Sequence, residues 1–265
     1  MSGINDIKEI NVSPLQTDLS IYSKFNFENQ PVGIKFLLNR PKGIEQLDKS
    51  MAFCEMIKEA QQSGTPFYIT KENEDCAGKL MLGMEDPSPI GESGQLGIKF
   101  GIFQEPRANS RLLKDSPKIA MGTVNYVAFS TLDKLAFEPD LFLLMATPSQ
   151  AEIVLRAMSY STGEMWSSKV TPVGACAWLF IYPYQSGNVN YVATGMTFGM
   201  KARKVYPEGW MLISIPYTWI PVITQNLQQM EWVLPSYTES REEFLARHDK
   251  VMEELAQEFQ NTSGK

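Results

Sequence analysis

The sequence predicts an α/β or α+β fold, in which a mixed β-sheet carries flanking helices and a C-terminal helical pair completes the chain. Three observations favour this class. Apolar runs of strand length alternate with segments whose apolar residues recur every three or four positions. The run DLFLLMAT (140–147) is almost continuously apolar, which is typical of a strand inside a covered sheet. Beyond residue 218, helical spacing continues on both sides of Pro235.

Size and composition indicate a globular protein throughout. The chain has 265 residues with 43% hydrophobic content, enough to bury a sizeable core without disulfides. Prolines and glycines are scattered, and no repeat or low-complexity block occurs. We predict an N-terminal arm over 1–29, an α/β core domain over 30–217, and a C-terminal helical extension over 218–265 that packs on the core.

The first predicted core elements are a strand, a helix and a second strand. PVGIKFLL (31–38) is β-prone, and its proline is tolerated at a strand start. Residues 50–62 carry an apolar helical face that ends before Gly64. PFYIT (66–70) then predicts the second strand.

The segment DCAGKLMLGM (75–84) predicts a short helix with Cys76 in its first turn, because Ala77, Leu80, Met81 and Met84 have helical spacing. The glycine-rich passage over 91–101 follows. It contains no phosphate-binding signature, so we predict an irregular loop there. Such a loop could lie over a site.

The strongest helix start in the chain follows the strands predicted at 124–132 and 140–147. Thr147 is suited to cap the helix, Pro148 to open it, and Gln150 to complete a capping box. Because α/β proteins bind ligands where such a helix begins, these three residues form a candidate ligand pocket. Helix capping alone is the alternative reading.

The remaining elements complete the sheet and the helical extension. Residues 175–182 are apolar and fit either a helix or a strand, whereas 197–206 predict a helix whose KARK sequence forms a solvated face. The other predictions are strands at 191–194 and 210–216, and helices over 220–234 and 244–259.

Charge and hydropathy exclude several function classes. The net charge is −6, and no Lys/Arg stripe occurs, which argues against nucleic-acid binding. No run of about 20 apolar residues could span a bilayer, and the N-terminus lacks a secretion signal. We therefore expect a cytoplasmic protein that binds neither nucleic acid nor membrane.

The cysteines are the main candidates for chemistry, yet their spacing leaves several roles open. Cys54, Cys76 and Cys176 form no CxxC pair, and they suit a reducing compartment better than a disulfide framework. Each could be a packed apolar residue, a metal ligand or, for Cys76, a nucleophile. Glu72, Glu74 and Asp75 oppose thiolate formation at Cys76, and the only histidine is His248, on the predicted last helix.

Five motifs occur in the same order as in a known uncharacterised prokaryotic family: PVGIKFL, CEMIKEAQQSGTPFYIT, DCAGKLMLGM, FEPDLFLLMATPSQAEIVLRAMSYSTG and the cysteine-containing segment 174–183. The sequence resembles domain-of-unknown-function family 169 (the ArCR group) over roughly residues 30–217. Members typically have cysteines at the positions of Cys54, Cys76 and Cys176, and commonly another before the last strand. Here that motif reads ATGMTFGMK, with Met196 in place of the extra cysteine.

The resemblance implies a metal or iron-sulfur site. Three thiolates, from Cys54, Cys76 and Cys176, are enough to hold a 4Fe-4S cluster with one iron left open, and Gly195 and Met196 would lie near the fourth position. The leading hypothesis is thus an iron-sulfur protein that acts on a small molecule or a redox partner. If it is an enzyme, we expect an oxidoreductase of anaerobic metabolism. The alternatives are a non-catalytic small-molecule-binding protein with packed cysteines and a thiol enzyme using Cys76. The C-terminal apolar stripes also leave a homo-oligomer open.

Overall fold

The computed structural model describes residues 8–263 and confirms a mixed α/β fold. The chain divides into two compact units, Met1–Gln228 and Gln229–Lys265. Most of the N-terminal arm predicted over 1–29 is described, and it contains a two-residue strand and a 3-10 helix, Ser20–Phe25. Residues 1–7 of that arm lie outside the described part.

The strands of the first unit are β1 Glu9–Ile10, β2 Val32–Leu37, β3 Arg40–Pro41, β4 Glu45–Gln46, β5 Phe67–Ile69, β6 Tyr126–Thr131, β7 Leu141–Ala146, β8 Asn190–Ala193 and β9 Met211–Pro216. Seven of them form one sheet in the order β4-β5-β6-β2-β7-β9-β8, while β1 and β3 form a small parallel pair. Only β4 and β5 pair in parallel within the large sheet; its other pairs are antiparallel. All six residues of β7 are buried, as predicted for a strand covered on both faces.

The helices are α1 Phe53–Ser63, α2 Gly78–Met81, α3 Pro89–Glu92, α4 Gln95–Lys99, α5 Pro106–Asp115, α6 Pro148–Tyr160, α7 Tyr182–Ser186, α8 Phe198–Ala202, α9 Ile220–Gln229 and α10 Arg241–Ser263. A π-helix, Ala177–Ile181, leads into α7. The ambiguous stretch 175–182 is therefore helical. The helix predicted over 220–234 ends at Gln229, five residues early.

The glycine-rich passage is where the prediction of local structure was wrong. Residues 91–101 contain the second half of α3 and all of α4, not an irregular loop. Gly94 caps α4 in a left-handed conformation, with φ of 72°. A Cβ added at Gly97 would lie 2.8 Å from the Asn109 side chain on α5. The glycines thus allow close helix packing, which local sequence signals do not reveal.

A cluster of aromatic rings fixes the start of α1 on one face of the sheet. The Phe53 ring lies 5.5 Å from the Phe129 ring on β6 and 4.6 Å from the Phe180 ring on the π-helix. Such edge-to-face pairs add about 0.5–1.5 kcal/mol each beyond area burial. This packing holds the N-terminus of α1 beside the π-helix, and Cys54 and Cys176 lie at these two positions.

The second unit contains α10 and the 3-10 helix Pro235–Tyr237. Every side chain of α10 that the structure describes is exposed. No helix within residues 8–263 is long and apolar enough to cross a membrane.

Candidate functional site

A buried carboxylate organises the segment around Cys76. The Glu74 side chain is buried, with only 3% of its surface exposed. Its Oε1 accepts a hydrogen bond from Phe53 N–H (2.8 Å), and its Oε2 accepts from the N–H groups of Cys76 (2.9 Å) and Lys79 (3.1 Å). Glu74 thereby joins the first turn of α1 to the Cys76 segment and satisfies backbone donors that a helix start leaves open.

Gly78 is required at the start of α2 because no side chain fits there. A Cβ at this position would lie 2.6 Å from Glu74 Oε1 and 2.9 Å from Phe53 Cβ. Contacts this short between atoms that are not hydrogen-bonded force neighbouring groups to move. The sequence EDCAG (74–78) is therefore a structural unit in which the glycine makes room for the buried glutamate.

Cys54 is the second residue of α1 and is buried. Its carbonyl oxygen accepts a hydrogen bond from the Tyr206 hydroxyl (2.9 Å). Burial raises the pKa of the Cys54 thiol to about 12, with further contributions from the charges of Cys76 and Glu55, while Arg203 opposes the shift. Cys54 is accordingly a neutral thiol at neutral pH.

Cys176 lies directly before the π-helix, an element that is rare and often found at functional sites. The turn before it uses Gly174, whose φ is 72° and whose carbonyl accepts from Ala177 N–H (3.0 Å). Burial raises the pKa of Cys176 well above its ordinary value, and the charges of Glu74, Cys54 and Cys76 raise it further.

Cys76 is the exposed member of the set. The prediction that it occupies the first turn of a helix was wrong, because α2 begins at Gly78 and spans four residues. Desolvation is the largest cause that raises the pKa of Cys76; Glu74 and Asp75 add to it, whereas the Ala77 N–H and Arg203 lower it. The thiol is therefore not activated as a nucleophile.

Arg203 bridges the two segments that carry Cys54 and Cys76. Its guanidinium Nη1 lies 3.0 Å from Glu55 on α1, and its Nη2 lies 3.1 Å from Asp75. The cation also interacts favourably with the charged form of Cys76, which raises the pKa of Arg203. The predicted solvated KARK face therefore includes a residue that contributes to the site.

The three thiols interact electrostatically but do not form a ready coordination group. Each of the pairs Cys54–Cys76, Cys54–Cys176 and Cys76–Cys176 contributes to a raised thiol pKa. The three residues come from α1, from the segment before α2 and from the start of the π-helix, and all three are free thiols. Among residues 8–263, no group of three or more His, Cys, Asp or Glu side chains is placed to hold a metal ion.

Gly195 and Met196, predicted near a fourth ligand position, lie in the turn after β8. Gly195 has φ of 87°, which favours glycine, and Met196 is 57% exposed. Two residues on, Phe198 N–H donates to the carbonyl of Pro172 (2.8 Å). This hydrogen bond joins the turn to the chain segment that leads to Cys176.

Thr147, Pro148 and Gln150 form the predicted helix cap. Thr147 Oγ1 accepts from Gln150 N–H (3.3 Å), and Gln150 Oε1 accepts from Thr147 N–H (2.9 Å). The Gln150 amide also donates to the Phe25 carbonyl (3.0 Å). These groups stabilise α6 and fix the N-terminal segment, so their hydrogen bonds already have a structural use. A ligand pocket at this position stays a prediction.

A cavity of about 440 Å³ opens beside the Cys76 segment. Charged side chains from both ends of that segment line it, including Lys71, Glu72, Lys79 and Glu85. Lys79 and Glu85, two of these lining residues, form an ion pair at 3.0 Å. The cavity is large enough for a small polar molecule.

The cysteines can be recognised as candidates from the sequence, whereas the residues that surround them in the structure cannot. Glu74 was interpreted only as an acidic neighbour of Cys76, and Gly78, Arg203 and Tyr206 were given no role in the site. The spacing of the EDCAG motif offers the one local signal, since a glycine four residues after an acid allows close backbone approach. The contacts of Arg203 and Tyr206 span 128 to 152 residues of sequence and leave no local pattern.

Comparisons with known proteins agree with the motif resemblance. A sequence model of domain-of-unknown-function family 169, described as uncharacterised ArCR, matches residues 20–226. An uncharacterised protein of Methanocaldococcus jannaschii is 28% identical over 126 residues, which is 46% of this chain and 53% of the relative. The match thus spans about half the relative's length. No solved structure matches the chain.

Proposed function

The chain belongs to domain-of-unknown-function family 169, and we propose that it is an iron-sulfur protein whose cluster is held by Cys54, Cys76 and Cys176. The observation that carries this proposal is that Glu74 and Arg203 each join the segments of Cys54 and Cys76, while the contact of the Phe53 and Phe180 rings holds α1 beside the π-helix that Cys176 precedes. Thiolates are the preferred protein ligands of iron-sulfur clusters. A three-thiolate site suits a 4Fe-4S cluster with one iron open to a small molecule.

Three cysteine sulfurs are the right kind of ligand for such a cluster. In the part of the chain that the structure describes, however, the three side chains are not placed to coordinate a metal ion together. Cluster binding requires thiolates, and burial favours the neutral thiols of Cys54 and Cys176. Binding of a cluster would therefore release protons from the thiols and draw the three side chains together, since metal binding is coupled to deprotonation of the ligands and to folding of the site. We expect cluster loading to weaken as pH falls, because protons compete for the same sulfur atoms.

The surrounding residues would support the site in distinct ways. Glu74 holds the backbone of Phe53 and Cys76 in place through its hydrogen bonds. The Arg203 cation offsets negative charge near Cys76. When bound, the cluster would supply one-electron redox chemistry or Lewis-acid binding at its open iron.

Reconstitution with iron and sulfide under strict exclusion of oxygen tests the proposal. The protein should retain about four irons per chain and become brown. Replacing Cys54, Cys76 or Cys176 with serine should lower the iron content, with Met165→Ser as the matched control because the Met165 side chain is 81% exposed. A colourless preparation without bound iron, or equal iron in all four variants, would refute the proposal.

A thiol enzyme using Cys76 has less support, because its thiol pKa is raised and not lowered. A small-molecule-binding protein with merely packed cysteines makes a different prediction. In that case, Cys54→Ser and Cys76→Ser would leave ligand binding intact and change only the free energy of unfolding. Testing these variants against the same ligand separates this rival from the cluster hypothesis.

A further inference from the structure

A second cavity, of about 590 Å³, lies between the N-terminal segment and the turn that follows β6. Its lining residues come from 15–31 and from Leu132 and Asp133, which belong to a short 3-10 helix. It shares no described lining residue with the cysteine site or with the cap of α6. The volume is typical of pockets that take a small organic molecule.

Hydrogen bonds fix both walls of this cavity. The buried carboxylate of Glu138 accepts from the Gln16 N–H (2.7 Å) and from the Thr17 hydroxyl (3.1 Å). On the other side, Leu132 N–H donates to the carbonyl of Pro31 (2.9 Å). A cavity with ordered walls binds a ligand more tightly than one that must form on binding, because less conformational entropy is lost.

The cavity has an apolar floor and a polar rim. Leu19, Tyr22 and Pro31 are its buried lining residues, and the Tyr22 ring packs edge-to-face on the Phe142 ring of β7 at 4.9 Å. The exposed lining residues are all polar: Asp18, Ser20, Ser23, Asn26, Gln30 and Asp133. A molecule with an apolar body and one polar group matches this division.

The charges of the rim select the sign of that polar group. Among the described residues that line the cavity, the charged ones are Asp18 and Asp133. Lys24 and Lys134, the basic residues nearest to them in sequence, do not line it. The Ser20 N–H donates to the Asp18 carboxylate (2.9 Å), which lowers the pKa of that carboxyl and keeps it ionised at neutral pH. The rim therefore attracts a cation and repels an anion.

We propose that this cavity binds a small organic amine, with the apolar body on the floor and the ammonium group at Asp18 and Asp133. Binding does not depend on the proposed cluster, because the cysteines do not line the cavity. Isothermal titration calorimetry of the full chain with 2-phenylethylamine, 2-phenylethanol and phenylacetate compares a cation, a neutral molecule and an anion of similar shape. The amine should bind about tenfold more tightly than the alcohol, and phenylacetate should bind most weakly.

Substitutions at the rim test the role of the carboxylates. Asp18→Asn and Asp133→Asn should each weaken binding of 2-phenylethylamine about fivefold and leave binding of 2-phenylethanol unchanged. Asp48→Asn is the matched control, since it makes the same charge change at an exposed residue outside the lining. Circular dichroism verifies that each variant is folded. Equal affinity for the amine and the alcohol, or equal effects of the three substitutions, overturns the assignment of an amine; no binding of any of the three molecules overturns the site.

Discussion

Replacing Glu74 with glutamine should destabilise the protein although it changes one atom of the side chain. The carboxylate accepts three backbone hydrogen bonds, one at Oε1 and two at Oε2. Glutamine offers one acceptor oxygen, and its NH2 group can only donate. At least one of the three bonds is therefore lost, and a buried N–H group then faces another donor.

The size of the effect follows from two opposing contributions. A hydrogen bond to a charged group is worth about 1.5–3 kcal/mol, and a buried donor left without a partner costs about 1–3 kcal/mol. Glutamine carries no charge, so the variant avoids the cost of burying one, and this offsets part of the loss. Desolvation of the charge is the main cause that raises the pKa of Glu74. We expect Glu74→Gln to lower the free energy of unfolding by about 1–3 kcal/mol at neutral pH.

The effect should also depend on pH with a defined sign. Because the Glu74 pKa is raised in the folded state, the folded protein holds this proton more tightly than the unfolded chain. Wild-type stability therefore falls as pH rises from the ordinary glutamate pKa through the raised one. The glutamine variant lacks this titration, so its deficit relative to wild type should be largest at the acidic end of the interval and shrink above it.

Urea unfolding followed by tryptophan fluorescence measures these differences. Glu72→Gln is the matched control: the residue lies two positions away, is exposed, and bonds only to the nearby Thr70 hydroxyl among described contacts. It should change the free energy of unfolding by less than about 0.5 kcal/mol. Equal stability of Glu74→Gln and Glu72→Gln would refute the assignment of Glu74 as the link between α1 and the Cys76 segment.

Three further outcomes are expected. Gly78→Ala should lower the free energy of unfolding by about 1–3 kcal/mol, whereas Gly199→Ala, whose added Cβ meets nothing within 4 Å, should be neutral or slightly stabilising; equal effects in thermal melts would contradict the packing argument. At neutral pH, iodoacetamide should modify Cys76 more slowly than a free thiol, and Cys54, with a pKa of about 12, only after unfolding, as peptide mass spectrometry can show. Arg203→Gln should slow modification of Cys76 further, because it removes the cation that lowers the thiol pKa; faster modification would count against this electrostatic role.

The parts of the fold that could be predicted are those whose signals are local. The apolar run at 140–147 contains β7, and the sequence TPSQ begins α6 with the cap that its side chains predict. Errors occur where contacts distant in sequence decide the structure. In α4, Gly97 is helical and packs against Asn109, although a glycine-rich sequence ordinarily favours a loop.

In the candidate site, too, the features with a local signal could be predicted, whereas those set by contacts distant in sequence could not. Cys76 could be singled out from its neighbours, but its predicted place in the first turn of a helix was wrong, because the helix begins two residues later, at Gly78. Its actual environment comes from Glu74, which also bonds to α1, and from Arg203, which directly follows α8. Burial, and to a smaller extent the charge of Glu74, raises the pKa values of the three thiols and so disfavours simple nucleophilic chemistry. The same acid holds the backbone next to Cys54 and at Cys76 in place, which the cluster site proposed above would require.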